Sequence, residues 1–386
     1  MKIYAPEVQH FKITDTKNNS FKYNGWPTVC RDERGVLYAV ASSMRMSHVD
    51  PAGKNCMYVS FNEGKTWTKP IVVNDSYVDD RDTGICYMGG GKMIMSWFSV
   101  APGNYMDHLQ EYDWFDPVDL ALAKGYSDSW KLLDPDYYKS LTGSFVRMSD
   151  DYGVTWSEPV RVPVTAPHGP CVCSDGTLVY MGNVMDRTRK PRLDENGNPI
   201  RFPVTVYTSR DGGYNWELAG EVPNGVGYAG NAITSTHTFE PHVVELPGGR
   251  LLGAIRTHSV EMDPEFTVFT TYSDDKGKTW SPPKGIGVDG SPPHLMVHSS
   301  GAVICSYSCR REGVRCERAV VSYDGGETWS EDYALDHRIG NQKDMGYPAS
   351  VELSDGSILT VYYQANPGQG WTNINCTRWR LVKKSK

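Results

Sequence analysis

Residues able to do acid–base chemistry recur at fixed distances from six glycines in this sequence. Nine positions before each glycine stand Trp26, Asp82, Pro167, Glu240, Pro292 and Tyr347, and one or two positions later come His168, His242 and His294. Seven to ten positions after the glycines come Arg45, Arg256, Arg310 and Arg311. Carboxylates, a phenol, imidazoles and guanidinium groups can together move protons and hold an anion. The spacing therefore predicts one polar, titratable site built from several parts of the chain.

The glycines belong to one of two interleaved repeats. Each starts a tight turn followed by an apolar strand, and the six are Gly35, Gly91, Gly176, Gly249, Gly301 and Gly356. The other repeat is the turn motif S-x-[DN]-x-G-x-[TN]-W, which begins at Ser60, Ser149, Ser209, Ser273 and Ser322. In this motif the Asp or Asn binds the turn backbone, the Gly takes a positive φ and the Trp packs on neighbouring strands. These motifs are therefore expected to be structural.

The repeats predict an all-β protein, a six-bladed β-propeller with four-stranded antiparallel blades and Asp-box turns. The glycine turns are 56, 85, 73, 52 and 55 residues apart, about one four-stranded unit each. The last blade lacks the turn motif, so we expect a strand from the other terminus to close it. Residues 1–386 are then a single domain, and the titratable residues ring one face of the central channel.

The longest departure from the repeat is an insertion at about residues 101–143, in the second blade. It is rich in Asp, Tyr and Trp, and the segment that starts at Pro117 can hold a short helix. Two interpretations stay open, a lid over one face of the ring and a loop without function.

Composition excludes several classes of partner. Lys and Arg number 39 against 46 Asp and Glu, and the net charge of −7 argues against a surface that binds nucleic acid or anionic lipid. No apolar run is long enough for a membrane-spanning helix, and the first ten residues do not resemble a secretory signal. With nine cysteines, an odd number, a reducing cytoplasm is the expected location. The sequence implies no cofactor and leaves the oligomeric state undetermined.

Two segments together with the Asp-box repeats carry a family resemblance. Glu240-Pro-His-Val-Val-Glu-Leu-Pro-Gly-Gly-Arg-Leu-Leu-Gly-Ala-Ile-Arg256 and the segment from Gly346-Tyr-Pro-Ala-Ser to Tyr363 resemble the exo-sialidase (neuraminidase) family over nearly the whole chain. The resemblance implies that Tyr347 is the nucleophile and Glu240 the base that activates it. A phenol with a pKa near 10 needs such a carboxylate to attack at neutral pH.

The resemblance also implies an arginine clamp for a substrate carboxylate, and an acid. Arg256 resembles the second arginine of the clamp, and Arg311, or less strongly Arg310 or Arg315, the third. Asp50 has the spacing that the resemblance implies for the acid, and the adjacent His48 is an alternative proton donor. Asp80 or Asp82 can hold a substrate hydroxyl or amide.

The sequence departs from the family at the first arginine of the clamp. Sialidases open the first inner strand with Arg-Ile-Pro, whereas this chain has Trp26-Pro27, and Arg45 or Arg81 would have to replace the missing charge. A uronic acid or a neutral sugar is therefore an alternative to sialic acid. The histidines, with His258, open two further alternatives, a metal site and a lyase that uses His and Tyr347.

The function predicted from the sequence is removal of a terminal, acidic sugar from a glycan by a sialidase-like exo-glycoside hydrolase. The resemblance implies retention of anomeric configuration through a tyrosyl-sugar intermediate, with no metal. The expected partner is an oligosaccharide or glycoside. A propeller that binds glycans without cutting them is the third class of function left open.

Overall fold

The computed structural model describes residues 1–16, 21–100, 117–185, 203–223, 237–260, 262–339, 344–365 and 371–382, and the backbone of 192–193 and 199–200. Nearly all of the regular secondary structure in the described residues is β-strand. Two short strands, β1 (Lys2–Tyr4) and β2 (Gln9–Lys12), precede the first blade.

The first three blades follow in chain order. Blade 1 consists of β3 (Tyr23–Arg31), β4 (Leu37–Arg45), β5 (Lys54–Ser60) and β6 (Ile71–Asn74). Blade 2 consists of β7 (Asp79–Gly89), β8 (Lys92–Val100), β9 (Gly143–Ser149) and β10 (Val160–Val162), with helices α1 (Pro117–Trp130) and α2 (Pro135–Ser140) between β8 and β9. Blade 3 consists of β11 (Val164–Thr165), β12 (Cys171–Val172), β13 (Leu178–Val184), β16 (Thr205–Ser209) and β17 (Glu217–Glu221), and the pair β14 (Arg192–Leu193) and β15 (Pro199–Ile200) is inserted after β13.

The other three blades complete the ring. Blade 4 consists of β18 (His237–Glu245), β19 (Leu251–His258), β20 (Phe266–Ser273) and β21 (Lys284–Gly285). Blade 5 consists of β22 (His294–Val297), β23 (Val303–Cys309), β24 (Cys316–Ser322) and β25 (Glu331–Asp336), with β1 parallel to β25. Blade 6 consists of β26 (Met345–Glu352), β27 (Ile358–Ala365) and β28 (Thr372–Trp379), with β2 antiparallel to β28.

The strands that begin the blades form the wall of a central channel. Each of β3, β7, β12, β18, β22 and β26 contacts the corresponding strand of the next blade, and β26 contacts β3. The last blade is closed by β2, whose residues Gln9 to Lys12 pair with Arg378 to Asn375. The six-bladed propeller and its closure by a strand from the other terminus are thus confirmed.

The turn motif folds by local hydrogen bonds, as the copy at residues 149–156 illustrates. The Ser149 hydroxyl donates to Asp151 (2.9 Å) and accepts from the backbone N–H of Gly153 (2.9 Å). Asp151 also accepts from the backbone N–H of Thr155 (2.8 Å), and the Trp156 indole donates to the carbonyl of Gly153 (3.0 Å). These bonds satisfy the backbone of the turn and fix the direction of the indole.

Apolar clusters fill the junctions between neighbouring blades. Each motif tryptophan packs on the cluster between its own blade and the preceding one, as Trp67 does between blades 6 and 1 and Trp156 does between blades 1 and 2. Blade 6 has no such motif, and Trp379 of β28 is buried at its junction with blade 5 together with Tyr333. The blades are therefore held in register by side-chain packing across the junctions.

Both helices lie in the insertion, of which residues 101–116 are outside the described part. The helix expected from Pro117 is confirmed, and it extends to Trp130. Ala123 and Trp130 of α1 pack on Met46 and Val49, in the loop that follows β4 of blade 1. The insertion thus supports a loop of the preceding blade. In the described part of the chain no helix has the length and apolar character needed to cross a membrane.

We expect that deleting residues 1–12 will open the ring and lower the unfolding temperature by roughly 5 °C or more. The deletion exposes the edge of β28 and the apolar face at the junction of blades 6 and 1, where Phe11 packs. Deleting residues 1–5 is the matched control, because it removes β1 and leaves β2 in place. Differential scanning calorimetry of both proteins measures the difference, and equal effects would contradict a closing role for β2.

Candidate active site

Four inner strands break their hydrogen-bond ladders at the same point. The pairing with the next strand shifts at Trp26, Asp82, Glu240 and Tyr347, which have φ values of 53°, 51°, 48° and 53°. A positive φ is costly for residues other than glycine and persists where the surrounding structure enforces it. The glycine spacing singled out six positions, two of them prolines, and these four are the others. The bulges therefore bring the four side chains to one place.

Tyr347 and Glu240 meet at this point. The Tyr347 hydroxyl donates to Glu240 Oε1 at 2.6 Å, and Arg256 Nη1 donates to Glu240 Oε2 at 2.5 Å. The same Nη1 lies 3.4 Å from the Tyr347 oxygen. Tyr347 is 6% exposed, so these contacts form with little water around them. A phenol, its proton acceptor and a cation are therefore assembled in direct contact.

Burial, and then the charge of Glu240, raise the pKa of Tyr347 well above its ordinary value. The phenol is thus protonated in the free protein, and its hydrogen bond points its proton at Glu240. A phenol this buried becomes a nucleophile when the carboxylate takes the proton as the oxygen attacks.

A second arginine near Tyr347 is Arg310, whose guanidinium carbon lies 5.6 Å from the centre of the tyrosine ring. Nε and Nη2 of Arg310 are buried and have no hydrogen-bond acceptor among the described residues. Arg311 is 53% exposed and forms ion pairs with Asp263 (3.1 Å) and Asp289 (2.6 Å). The structure therefore gives Arg311 surface partners, whereas the resemblance implied that it belongs to the clamp.

Trp26 is buried, and two guanidinium groups lie near its ring. Arg81 lies over its ring at 4.4 Å and Arg45 at 5.0 Å. Arg45 is fully buried, pairs with Asp79 at 2.6 Å and donates to the carbonyl of His48 at 3.0 Å. Since these partners hold Arg45 in the interior, it is not available to a substrate, contrary to one expectation for this residue. Arg81 remains the candidate for the missing positive charge.

Two of the candidate carboxylates are saturated by neighbours. Asp80 accepts from the Ser76 hydroxyl and backbone, from Asn74 and from the Ser99 hydroxyl at 2.6 to 2.9 Å. Asp50 is fully buried and accepts from the backbone N–H groups of Met46 and Ala52. Burial raises the pKa of each to about 6. Both carboxylates hold loops at the rim, and no contact of either with Tyr347 or Glu240 is observed.

Asp82 differs from both, because its Oδ1 is buried without a hydrogen-bond partner among the described residues. Burial raises the pKa of Asp82 to about 7, and the nearby charge of Glu240 acts in the same direction. Asp82 and Glu240 line a cavity of about 630 Å³ whose wall includes Asn183, Phe98 and Phe239. An unpartnered carboxyl group in a cavity is suited to bind a hydroxyl or amide of a ligand.

A second polar group surrounds His48. Its Nδ1 lies 3.1 Å from Asp344 and 3.0 Å from the Tyr23 hydroxyl, and Asp344 also accepts from Tyr23 and Tyr363 at 2.6 Å each. The ring of His48 lies against Trp26, with centres 5.0 Å apart. Burial lowers the pKa of His48, while Asp344 opposes the shift. The hydrogen bonds from its neighbours, against the effect of burial, hold the pKa of Asp344 well below its usual range.

Sequence reasoning missed Tyr23, Asp344 and Tyr363. Two of them follow the same register, because the residues three positions before the bulges are Tyr23, Asp79, His237 and Asp344. Extending the alignment of the blades by three residues would have found these two. Tyr363 lies on β27, a strand whose composition gives no comparable signal.

His242 and His294 stack with ring centres 4.3 Å apart, and His168 lies edge-on to both at 5.7 and 5.0 Å and 6.5 Å from the ring of Tyr347. Nδ1 of His242 accepts from the backbone N–H of Leu295, and the described residues contain no group of three His, Cys, Asp or Glu placed to hold a metal ion. All three rings are buried, and burial lowers their pKa values, that of His242 to about 3.

The family of BNR repeat-like domains matches residues 135–368, more than half of the chain. The chain belongs to that family. Among curated relatives, a sialidase of Bacteroides fragilis (strain YCH46) is 23% identical over 293 residues, or 70% of this chain and 42% of the relative. An anhydrosialidase of Macrobdella decora is 26% identical over 269 residues, or 64% of this chain and 32% of the relative. The chain thus spans less than half the length of these two proteins.

The solved structure of the intramolecular trans-sialidase from Ruminococcus gnavus, in complex with oseltamivir carboxylate, has the same fold as this BNR-repeat chain. Its TM-score is 0.63 at 16% identity, and the match covers 94% of this chain and 95% of that one. Together with the sequence matches, this fold supports a sialidase-like BNR propeller.

We predict that the three channel histidines make the protein sensitive to acid. Their pKa values are lower in the folded than in the unfolded state, so the unfolded chain binds more protons below about pH 6.5. Stability is therefore lost as the pH falls, by up to about 1.4 kcal/mol per pH unit for each histidine. Replacing His242 by Asn keeps an acceptor near the Leu295 N–H and removes the titrating group.

Urea unfolding at pH 7 and at pH 4.5 measures this effect. We expect the stability of His242→Asn to change less between the two pH values than that of the natural protein. His337→Asn, at an exposed histidine, is the control and should behave as the natural protein does. Identical pH dependence in all three proteins would show that the channel histidines do not control the acid response.

Proposed function

We propose that this protein is a sialidase-like exo-glycoside hydrolase that removes a terminal acidic sugar with retention of configuration. The observation that carries the proposal is the 2.6 Å hydrogen bond from the Tyr347 hydroxyl to Glu240, with Arg256 bound to the same carboxylate. Tyr347 is the nucleophile and Glu240 its base. The sialidase-like sequence matches and the shared fold support the same class of reaction.

The geometry suits attack on an anionic sugar. A carboxylate nucleophile would repel the carboxylate of such a substrate. The phenol of Tyr347 is neutral until it attacks, and the negative charge lies on Glu240, to which it hydrogen-bonds. Arg256 binds Glu240 and lies 3.4 Å from the phenol oxygen, so it stabilises negative charge that develops there. As Tyr347 bonds to the anomeric carbon, its proton passes to Glu240.

The arginines around Tyr347 favour an acidic substrate. Arg256 contacts the phenol oxygen, Arg310 lies over the ring, and Arg81 stacks on Trp26, whose ring centre is 6.5 Å from that of Tyr347. We propose that Arg81 supplies the charge that the missing first arginine would give. Together these side chains form a carboxylate clamp, since guanidinium groups bind a carboxylate through paired hydrogen bonds.

The three alternatives, a non-catalytic glycan-binding propeller, a lyase and a uronic acid as substrate, are not equally supported. A glycan-binding propeller without activity predicts that Tyr347 and Glu240 do not touch, and they do. A lyase that uses the channel histidines needs one of them as a base, whereas burial lowers the pKa values of His168, His242 and His294 and so weakens them as bases. A terminal uronic acid remains the second candidate substrate, because Trp26 leaves the arginine set different from that of sialidases.

The test is hydrolysis of chromogenic glycosides by the purified protein, with and without a chelator. The panel contains the α-ketoside of N-acetylneuraminic acid, α- and β-uronides and a neutral glycoside. We expect chelator-resistant release from an acidic glycoside. Release from the uronides alone would identify a uronic acid as the terminal sugar and leave the proposed reaction unchanged. Release from no glycoside would overturn the proposal.

Tyr347→Phe should lower turnover by a factor of about 1,000 or more, because the covalent intermediate cannot form. Loss of one hydroxyl leaves the ring packing on Tyr363 and Trp26 in place, so folding and ligand binding should persist. Kinetics on the preferred glycoside, with thermal unfolding as a check of folding, measure both. Full activity in this variant would exclude Tyr347 as the nucleophile.

Arg310→Met and Arg311→Met form a matched pair of neighbouring substitutions. We expect Arg310→Met to weaken binding of the acidic substrate about ten- to a hundredfold, the cost of one charge-assisted contact. Arg311→Met removes surface ion pairs and should leave binding nearly unchanged. Values of KM and of inhibitor Kd for both variants decide between them, and the opposite result would return Arg311 to the clamp.

A further inference from the structure

We propose that His48, held by Asp344, is the catalytic acid and base that serves the leaving group of the glycoside. This inference rests on the proposed function and names the residue that completes it. The resemblance implies an aspartate in this role and points to Asp50. The structure instead places Asp50 in the interior, where its carboxylate accepts from the backbone N–H groups of Met46 and Ala52.

His48 and the proposed nucleophile Tyr347 both lie against the indole of Trp26. The Trp26 ring lies 5.0 Å from that of His48 and 6.5 Å from that of Tyr347, between centres. A second path joins the same two residues, because Asp344 accepts from Tyr363, whose ring lies 6.0 Å from that of Tyr347. In this proposal a sugar ring lies against Tyr347, with its leaving group directed along the Trp26 indole to His48. The His48 side chain is 31% exposed, which gives it access to a ligand.

Asp344 fixes which nitrogen of His48 reacts. Nδ1 lies 3.1 Å from Asp344 Oδ2 and so carries the proton that it donates to this carboxylate. Nε2 is then the nitrogen that exchanges a proton with the substrate. Asp344 is held in turn by the hydroxyls of Tyr23 and Tyr363, which donate at 2.6 Å each. A carboxylate with three donors keeps the imidazole ring in one orientation, and Asp344 is thus a positioning residue.

The step balances without any other reactant. The bond between the anomeric carbon and the leaving oxygen breaks, its electron pair stays on that oxygen, and the proton on Nε2 of His48 moves to it. Tyr347 bonds to the anomeric carbon and gives its proton to Glu240. In the second half neutral His48 takes a proton from water as the water oxygen bonds to the anomeric carbon, and Tyr347 leaves and recovers its proton from Glu240.

The groups that face His48 set the pH at which it works. Burial lowers its pKa from 6.5, Asp344 raises it, and the positive charges of Arg81 and Arg45 lower it further, while Tyr23 shares the hydrogen bond at Nδ1. An acid must carry its proton, so activity should fall as the pH rises through this lowered pKa. We therefore expect maximal activity on the acid side of pH 6.5 for substrates whose leaving group needs a proton.

The test uses two substrates of the same sugar, one with a nitrophenyl and one with an alkyl leaving group. A nitrophenolate leaves without a proton, whereas an alkoxide does not. We expect His48→Asn to lose about 100-fold or more in kcat/KM on the alkyl glycoside and less than about fivefold on the nitrophenyl glycoside. Asparagine places an amide near the position of Nδ1 and keeps a donor for Asp344. Nitrophenol should appear as a burst, because the base for the second step is missing.

The comparison variants are Asp50→Asn and Asp82→Asn. Selective loss on the alkyl glycoside in either of these, and not in His48→Asn, would overturn the proposal by naming another acid. Equal losses of His48→Asn on both substrates, or no loss, would overturn it too. Tyr347→Phe should lose activity on both glycosides. If the natural protein were inactive on both glycosides, the proposed function itself would be wrong. This result can be told apart from every outcome with the variants, which test only the assignment of His48.

Asp344→Asn tests the positioning role through the pH profile. Loss of the carboxylate lowers the pKa of His48, so the fall in activity with rising pH should move to lower pH on the alkyl glycoside. A purely structural role predicts a lower rate with an unmoved profile, which would overturn this part. The natural protein gives a measurement that needs no variant, because the fall should be seen with the alkyl and not with the nitrophenyl glycoside. Its presence on both would contradict His48 as the acid.

Discussion

The bulges in four inner strands are the feature on which the site depends. A regular strand alternates its side chains between two faces, and a bulge with a positive φ breaks that alternation at one residue. In three of the four, the next residue is a proline, at Pro27, Pro241 and Pro348. Proline has no N–H to give to the ladder, so the break leaves no donor unsatisfied. The packed junctions between blades then hold the strained residues in place.

Closure of the ring brings the two halves of the site together. Tyr23 and His48 belong to blade 1, and Asp344, Tyr347 and Tyr363 to blade 6, so their contacts cross the junction at which the chain is closed. The strand β2 completes blade 6 just before β3 begins blade 1, and β26 contacts β3. The stability of the first few strands and the geometry of the site are therefore linked through one junction.

The electrostatics of the site separate groups that are saturated from groups that are not. Arg45 pairs with Asp79, Asp80 accepts from neighbouring hydroxyl and amide groups, and Asp50 accepts from the backbone, so these residues support the rim. Among the described residues, Arg310 and Asp82 are two of those with buried polar atoms that have no hydrogen-bond partner, and they lie beside Tyr347 and Glu240 respectively. A buried polar group without a partner is costly, so these atoms are candidates for contact with a ligand.

The sequence by itself determined the propeller, since five copies of a turn motif and six glycine turns leave few alternatives, and it determined the register that brings Glu240 and Tyr347 to one rim. It also identified the absence of an arginine at position 26. Tertiary structure decided which arginines and carboxylates have partners. Arg310 and Arg311 are adjacent in the chain, yet only Arg310 lies on the Tyr347 ring, because the direction of a side chain depends on the strand end that carries it. Asp344 contacts His48 only because the ring closes. The two residues are 296 positions apart in the chain, and no local sequence pattern connects them.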